Sequence, residues 1–82
     1  MTTIKIQFYS NKVVPKNYTG TVIYQAGSIE YCSEYLVNGL LHREDGPAYE
    51  TTESWPCGKQ QQYWLNGELQ RIVRNGSTWW QR

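Results

Sequence analysis

Histidine, methionine and phenylalanine each occur once in this 82-residue chain, and cysteine twice. His42 with Cys32 and Cys57, and no paired C-x-x-C, falls short of the ligand set a zinc site needs, so no metal is expected. The N-terminus, Met1-Thr2-Thr3-Ile4-Lys5-Ile6, alternates polar and apolar residues and lacks the apolar core of a signal peptide. No run of about 18 apolar residues exists to cross a membrane. The expected location is therefore the cytoplasm. There two distant thiols stay free, and the sequons at Asn17 and Asn75 carry no sugar. Also missing are a second histidine, a glycine-rich phosphate loop and a nucleophile motif, so neither an enzyme nor a bound cofactor is expected.

What the chain has instead is aromatic mass: four tryptophans, seven tyrosines and one phenylalanine. With 39% hydrophobic and 18% charged residues it is too aromatic to stay disordered, and it is short enough to hold one core. We therefore expect a single domain over residues 1–82. The net charge of +1 hides a segregation. Residues 1–18 carry Lys5, Lys12 and Lys16 with no acid. Residues 30–53 carry Glu30, Glu34, Glu44, Asp45, Glu50 and Glu53 against Arg43. Residues 59–82 carry Lys59, Arg71, Arg74 and Arg82 against Glu68. Either the fold sets these blocks side by side and neutralises them, or it presents an acidic face and a basic face to partners.

Ile4, Ile6 and Phe8 alternate with Lys5, Gln7 and Tyr9, the period of a strand with one buried face, which predicts a first strand over 3–9. Residues 10–17 read as a loop around Pro15, and 10–18 is the one place a short helix is entertained. Thr21-Val22-Ile23 predicts a second strand over 19–25, and Ala26-Gly27-Ser28 turns it into a third over 29–37. Asn38-Gly39, Asn66-Gly67 and Asn75-Gly76 each predict a tight hairpin, because a type I′ turn needs positive φ at both central residues. Asp45-Gly46-Pro47 and Trp55-Pro56-Cys57-Gly58 are further turns. Strands are left over 40–42, 48–52, 60–65, 68–74 and 77–81. The fold class expected is all-β, an antiparallel meander or small barrel of short strands.

Tyr35-Leu36-Val37-Asn38-Gly39-Leu40-Leu41-His42-Arg43 aligns with Tyr63-Trp64-Leu65-Asn66-Gly67-Glu68-Leu69-Gln70-Arg71 at an offset of 28 residues. Such self-similarity points to tandem β-hairpin repeats over 35–82, with the N-terminal strands of 1–34 as a cap. The stretch from Tyr35 to Ala48 resembles the W/Y-x-x-N-G-x-x-H-R-x-D-G-P-A hairpin repeat of short bacteriophage and large-DNA-virus proteins, which is similar to MORN-like repeats. The second copy departs after Arg71, where Ile72-Val73 replaces the Asp-Gly-Pro-Ala part. The resemblance implies hairpin architecture and a viral origin, hence the cytoplasm of an infected host cell, and it implies no activity.

His42, Arg43, Glu44 and Asp45 form the densest polar cluster, and a histidine beside carboxylates invites a general-base reading. Turn chemistry explains the same residues. Asp45 accepts backbone N–H groups of the turn, Gly46 supplies a permissive backbone, Pro47 fixes φ, and His42 and Arg43 close the turn by hydrogen bonding. The adjacent pairs Tyr63-Trp64 and Trp79-Trp80 are the stronger functional lead, since strand neighbours point to opposite faces and one of each pair should look outward.

The candidate partner-binding set is these four aromatics with Glu30, Glu34, Glu44 and Glu50. The expected function is a non-enzymatic phage-type protein that inhibits a host protein by occlusion, such as a component of an antiviral defence or CRISPR complex that itself binds nucleic acid. Two alternatives stay open. One is a self-assembling, virion-associated repeat protein that forms a homodimer through the Trp79-Trp80 edge. The other is a binder of single-stranded nucleic acid or carbohydrate stacked on the aromatics, with direct nucleic-acid contact disfavoured by the missing basic excess.

Overall fold

The computed structural model describes residues 2–52 and 58–82. Among them lie eight strands and no helix: β1 (Thr3–Gln7), β2 (Gly20–Ala26), β3 (Ile29–Val37), β4 (Leu40–Leu41), β5 (Tyr49–Thr51), β6 (Gln60–Leu65), β7 (Glu68–Arg74) and β8 (Ser77–Gln81). The fold is all-β. It is one open sheet in the order β1-β2-β3-β5-β6-β7-β8, with β4 beside β3, so the barrel alternative does not hold. Nor is the sheet antiparallel throughout, because β1 runs parallel to β2, with Ile4 beside Val22 and Ile6 beside Tyr24. The cause is the segment from residue 8 to 19, which is long enough for a crossover and contains no two-residue turn signal. Within residues 10–18, where the sequence entertains a short helix, it makes a turn from Tyr18 N–H to the Pro15 carbonyl at 3.1 Å.

The three Asn-Gly pairs behave as their chemistry requires. Asn38, Asn66 and Asn75 all take φ near +50°, each followed by a glycine at +79° to +84°. The turn expected at 55–58 lies outside the described residues except for Gly58, as does the pairing of Cys57.

Residues opposed in neighbouring strands share a face, and the registers trace one buried face across the sheet. Val22 opposes Glu34, Glu34 opposes Tyr49, Tyr49 opposes Gln62, and Gln62 opposes Ile72. The buried Ile6, Val22, Cys32, Thr51 and Ile72 all lie on it. The crossover lies against part of this face, where Val14, Pro15 and Lys16 border a hollow with Tyr24, Glu34, Leu36 and Leu41. Phe8 was expected to continue the buried alternation of β1, but that strand ends at Gln7. A turn from Ser10 N–H to the Gln7 carbonyl lifts Phe8 out to 69% exposure.

β4 and β5 are two pieces of one strand lying along β3. Leu36 pairs with Leu41 on one side of Tyr35, and Glu34 pairs with Tyr49 on the other. Between them the chain leaves and rejoins at Tyr35, whose carbonyl accepts His42 N–H and whose N–H donates to the Ala48 carbonyl. This excursion is the His-Arg-x-Asp-Gly-Pro part of the motif. In the second hairpin Ile72-Val73 stands at that place, and β7 continues unbroken to Arg74. β-branched residues suit a continuing strand, and Gly-Pro interrupts one.

Candidate partner-binding surface

Asn-Gly turns dock on the element before them. The N–H groups of Asn38 and Gly39 donate to Thr19 Oγ1 and the Tyr18 carbonyl, both at 2.9 Å. Those of Asn66 and Gly67 donate to His42 Nδ1 and the Leu41 carbonyl, again at 2.9 Å. His42 therefore acts as an acceptor for the next hairpin and does not close its own turn. Its Nε2 lies 3.8 Å from Glu44.

Arg43 holds the excursion together. Its Nε donates to Asp45 Oδ1 at 3.2 Å and its Nη1 to the Pro47 carbonyl at 3.3 Å, while its guanidinium lies 4.0 Å above the Tyr35 ring. Gly46 takes no unusual φ; a Cβ there would sit 3.0 Å from the Arg43 guanidinium carbon, so a larger residue would require the Arg43 side chain to shift. Asp45 serves this side chain where backbone donors were expected.

The four aromatics of the candidate set divide. Tyr63 and Trp64 are half-buried: Arg71 stacks on Tyr63 at 4.1 Å, and Trp64 Nε1 donates to Gln62 Oε1 at 2.9 Å. Trp79 and Trp80 are exposed at 59% and 41% on β8, whose five residues are all exposed. Their backbones do not alternate simply. Trp80 pairs with Ile72 and Thr78 with Val73, which leaves Trp79 as the extra residue of a bulge. Arg74 lies 4.2 Å from the Trp79 ring. Sequence reasoning missed Phe8, Tyr9 and Val13, which are 69%, 73% and 81% exposed, because it placed Phe8 and Tyr9 in the first strand and Val13 in the loop that follows.

The acidic members do not form one patch. Glu30 and Glu50 meet at a hollow with Lys59, while Lys5 pairs with Glu30 at 3.3 Å and Gln61 donates to Glu50 at 3.0 Å. Glu44 stands exposed on the excursion. Glu34 lies on the buried face, where Tyr24 donates its hydroxyl to Oε1 at 3.2 Å. Burial pushes the Glu34 carboxyl above its usual range, and the Tyr24 bond opposes this. Burial, helped by the neighbouring Glu34 charge, pushes the Tyr24 phenol up to about 12. Burial likewise raises the Cys32 thiol to about 11, against a hydrogen bond to Tyr49. Lys5–Glu30 is the ion pair that joins two charge blocks among the described residues; Arg43–Asp45 and Glu68–Arg82 stay within theirs.

Among the described residues no group of three or more His, Cys, Asp or Glu side chains is placed to hold a metal ion, and no helix is long and apolar enough to cross a membrane. No protein-family model, curated protein or solved structure matches this chain.

Proposed function

We propose that this is a non-enzymatic binding protein of the phage inhibitor kind, which occludes a surface of a host protein through the β8 end of its sheet. The observation that carries the reading is β8 itself. It is an outermost strand whose five residues are all exposed, with two tryptophans and no charged residue or proline between Ser77 and Gln81. Soluble proteins guard such edges with lysine or proline, as β1 does at the other end of the sheet with Lys5 at its centre. An unguarded edge bearing tryptophan suits strand addition, in which main-chain bonds give affinity and large side chains anchor the contact. The viral character rests on the likeness of the Tyr35 to Ala48 stretch to phage hairpin repeats.

The test is capture of host proteins by the tagged chain, compared with Trp79→Ala, Trp80→Ala and a Phe8→Ala control, each checked folded by circular dichroism. A stoichiometric host protein held by the parent and the control but lost with both tryptophan variants supports the reading. Capture that is indifferent to Trp79 and Trp80 contradicts it. The neutral edge also favours a second reading, self-association through β8, for which sedimentation would show a dimer that grows with concentration and dissolves in Trp80→Lys.

A further inference from the structure

Two hollows occupy corresponding places in the two hairpins, 28 residues apart. The first is lined by Tyr35, His42 and Arg43 among others, the second by Tyr63, Gln70 and Arg71 with Gln81 and Arg82. In each, the guanidinium carbon of the arginine lies over the tyrosine ring at about 4 Å. They differ in one respect. Arg43 has a carboxylate two residues on, Asp45, which accepts its Nε–H. Two residues beyond Arg71 the chain has Val73, and Arg71 Nε is buried with no hydrogen-bond partner. Val73 shares the sheet face of Arg71, being its neighbour but one along β7, as an aspartate there would.

Buried donors in folded proteins are almost always satisfied, so a guanidinium that keeps its ring contact and lacks its acceptor calls for an explanation. The other cation of the hollow, Arg82, is already paired with Glu68 at 2.7 Å. We propose that the hollow beside Arg71 is a carboxylate site: it takes from an acidic segment of a partner protein the group that Asp45 supplies within the first hairpin. The aspartate or glutamate side chain would lie between Arg71, Gln70 and Gln81, with the Tyr63 ring behind the guanidinium, and, because Nε is closed to solvent in the free chain, would draw that edge of the guanidinium outward. Planar carboxylates match a guanidinium fork, and a doubly charged phosphate would meet only one free cation and the nearby Glu68. The hollow measures about 250 Å³, enough for one side chain, and borders the C-terminal end of β8. The inference thus adds a chemistry to the proposed partner and rests on that reading only in the partner's being a protein.

The test uses the full chain labelled with nitrogen-15 and a blocked peptide alternating glutamate with threonine, at fixed ionic strength. The expected result is a shift of the Arg71 Nε–H resonance with those of Gln70 and Gln81. The affinity should fall about tenfold in Arg71→Gln and in Val73→Asp, which rebuilds the internal acid. Asp45→Ala, which removes the acceptor of the Arg43 Nε–H, should gain a second response at Arg43. Backbone spectra report whether each variant remains folded, and the gain in Asp45→Ala is a result no folding defect produces. The inference is overturned if Arg71 Nε–H stays still up to the solubility limit of the peptide, if Val73→Asp binds like the parent, or if inorganic phosphate moves the same resonances at lower concentration. Loss of host-protein capture in the tryptophan variants, with the peptide response intact, would separate the edge from the hollow.

Discussion

Gly39 and Gly76 hold the same place in two Asn-Gly turns, at φ +80° and +84°, and differ in their surroundings. A Cβ on Gly39 would collide with the Lys16 carbonyl oxygen of the crossover, whereas one on Gly76 meets nothing within 4 Å. Gly76→Ala should therefore cost about 1 kcal/mol, the left-handed backbone term alone. Gly39→Ala adds overlap with main chain and should cost about 3 kcal/mol or more, read from urea unfolding midpoints. The sequence supports both glycines equally as turn residues. What separates them is a contact with a segment whose path has no signal in the residues.

Glu34 gives a second test at the residue scale. Its carboxyl is raised by burial in the folded state and titrates normally in the unfolded chain. Between those two pKa values the folded state binds more protons, so stability falls as pH rises through that window. Glu34→Gln keeps an acceptor for the Tyr24 hydroxyl and removes the ionisation. Its unfolding midpoint should vary less between pH 4 and pH 8 than the parent's, and should exceed it at the upper end; equal slopes would show that Glu34 carries none of the pH dependence. Nothing in the local sequence marks Glu34 as different from Glu30 or Glu50. The difference arises from which face of the sheet each falls on and what lies over it.

At the scale of elements, the strands were legible because period-two alternation and Asn-Gly pairs are local signals, and β6, β7 and β8 match the expected spans. The parallel partner of β1 was not legible. Strand direction depends on where the crossover travels, and the residues of 8–19 give no rule for it. The three bulges, at Tyr31 opposite Tyr24-Gln25, at Gln70 opposite Tyr63-Trp64 and at Trp79 opposite Ile72-Val73, were equally hidden, because one extra residue leaves the hydrophobic pattern on the partner strand intact. The docking of one hairpin on the next yields a test at this scale. His42→Ala removes the acceptor for Asn66 N–H and should cost about 1 kcal/mol. His42→Asn, whose Oδ1 can stand where Nδ1 stood, should recover most of it, and equal losses in the two variants would count against the bond.

The whole molecule measures 33 × 28 × 18 Å, a slab with two unlike edges. β1 closes one side with Lys5, which also ties the sheet to Glu30, and β8 closes the other with Trp79 and Trp80 exposed. The charge blocks of the sequence survive in part. Among the described residues one ion pair joins the first to the second, and Arg71, Arg74 and Arg82 lie on β7 and at the end of β8. A partner that adds to this edge would bury the tryptophans and meet a basic surround, as the carboxylate hollow also requires. Amide hydrogen exchange on the chain alone and on its complex with a captured host protein tests that claim most directly. Slowed exchange concentrated in residues 77–81, with β1 unchanged, is the expected result; protection confined to β1 and the Phe8-Tyr9 end, with β8 exchanging as in the free chain, would contradict it.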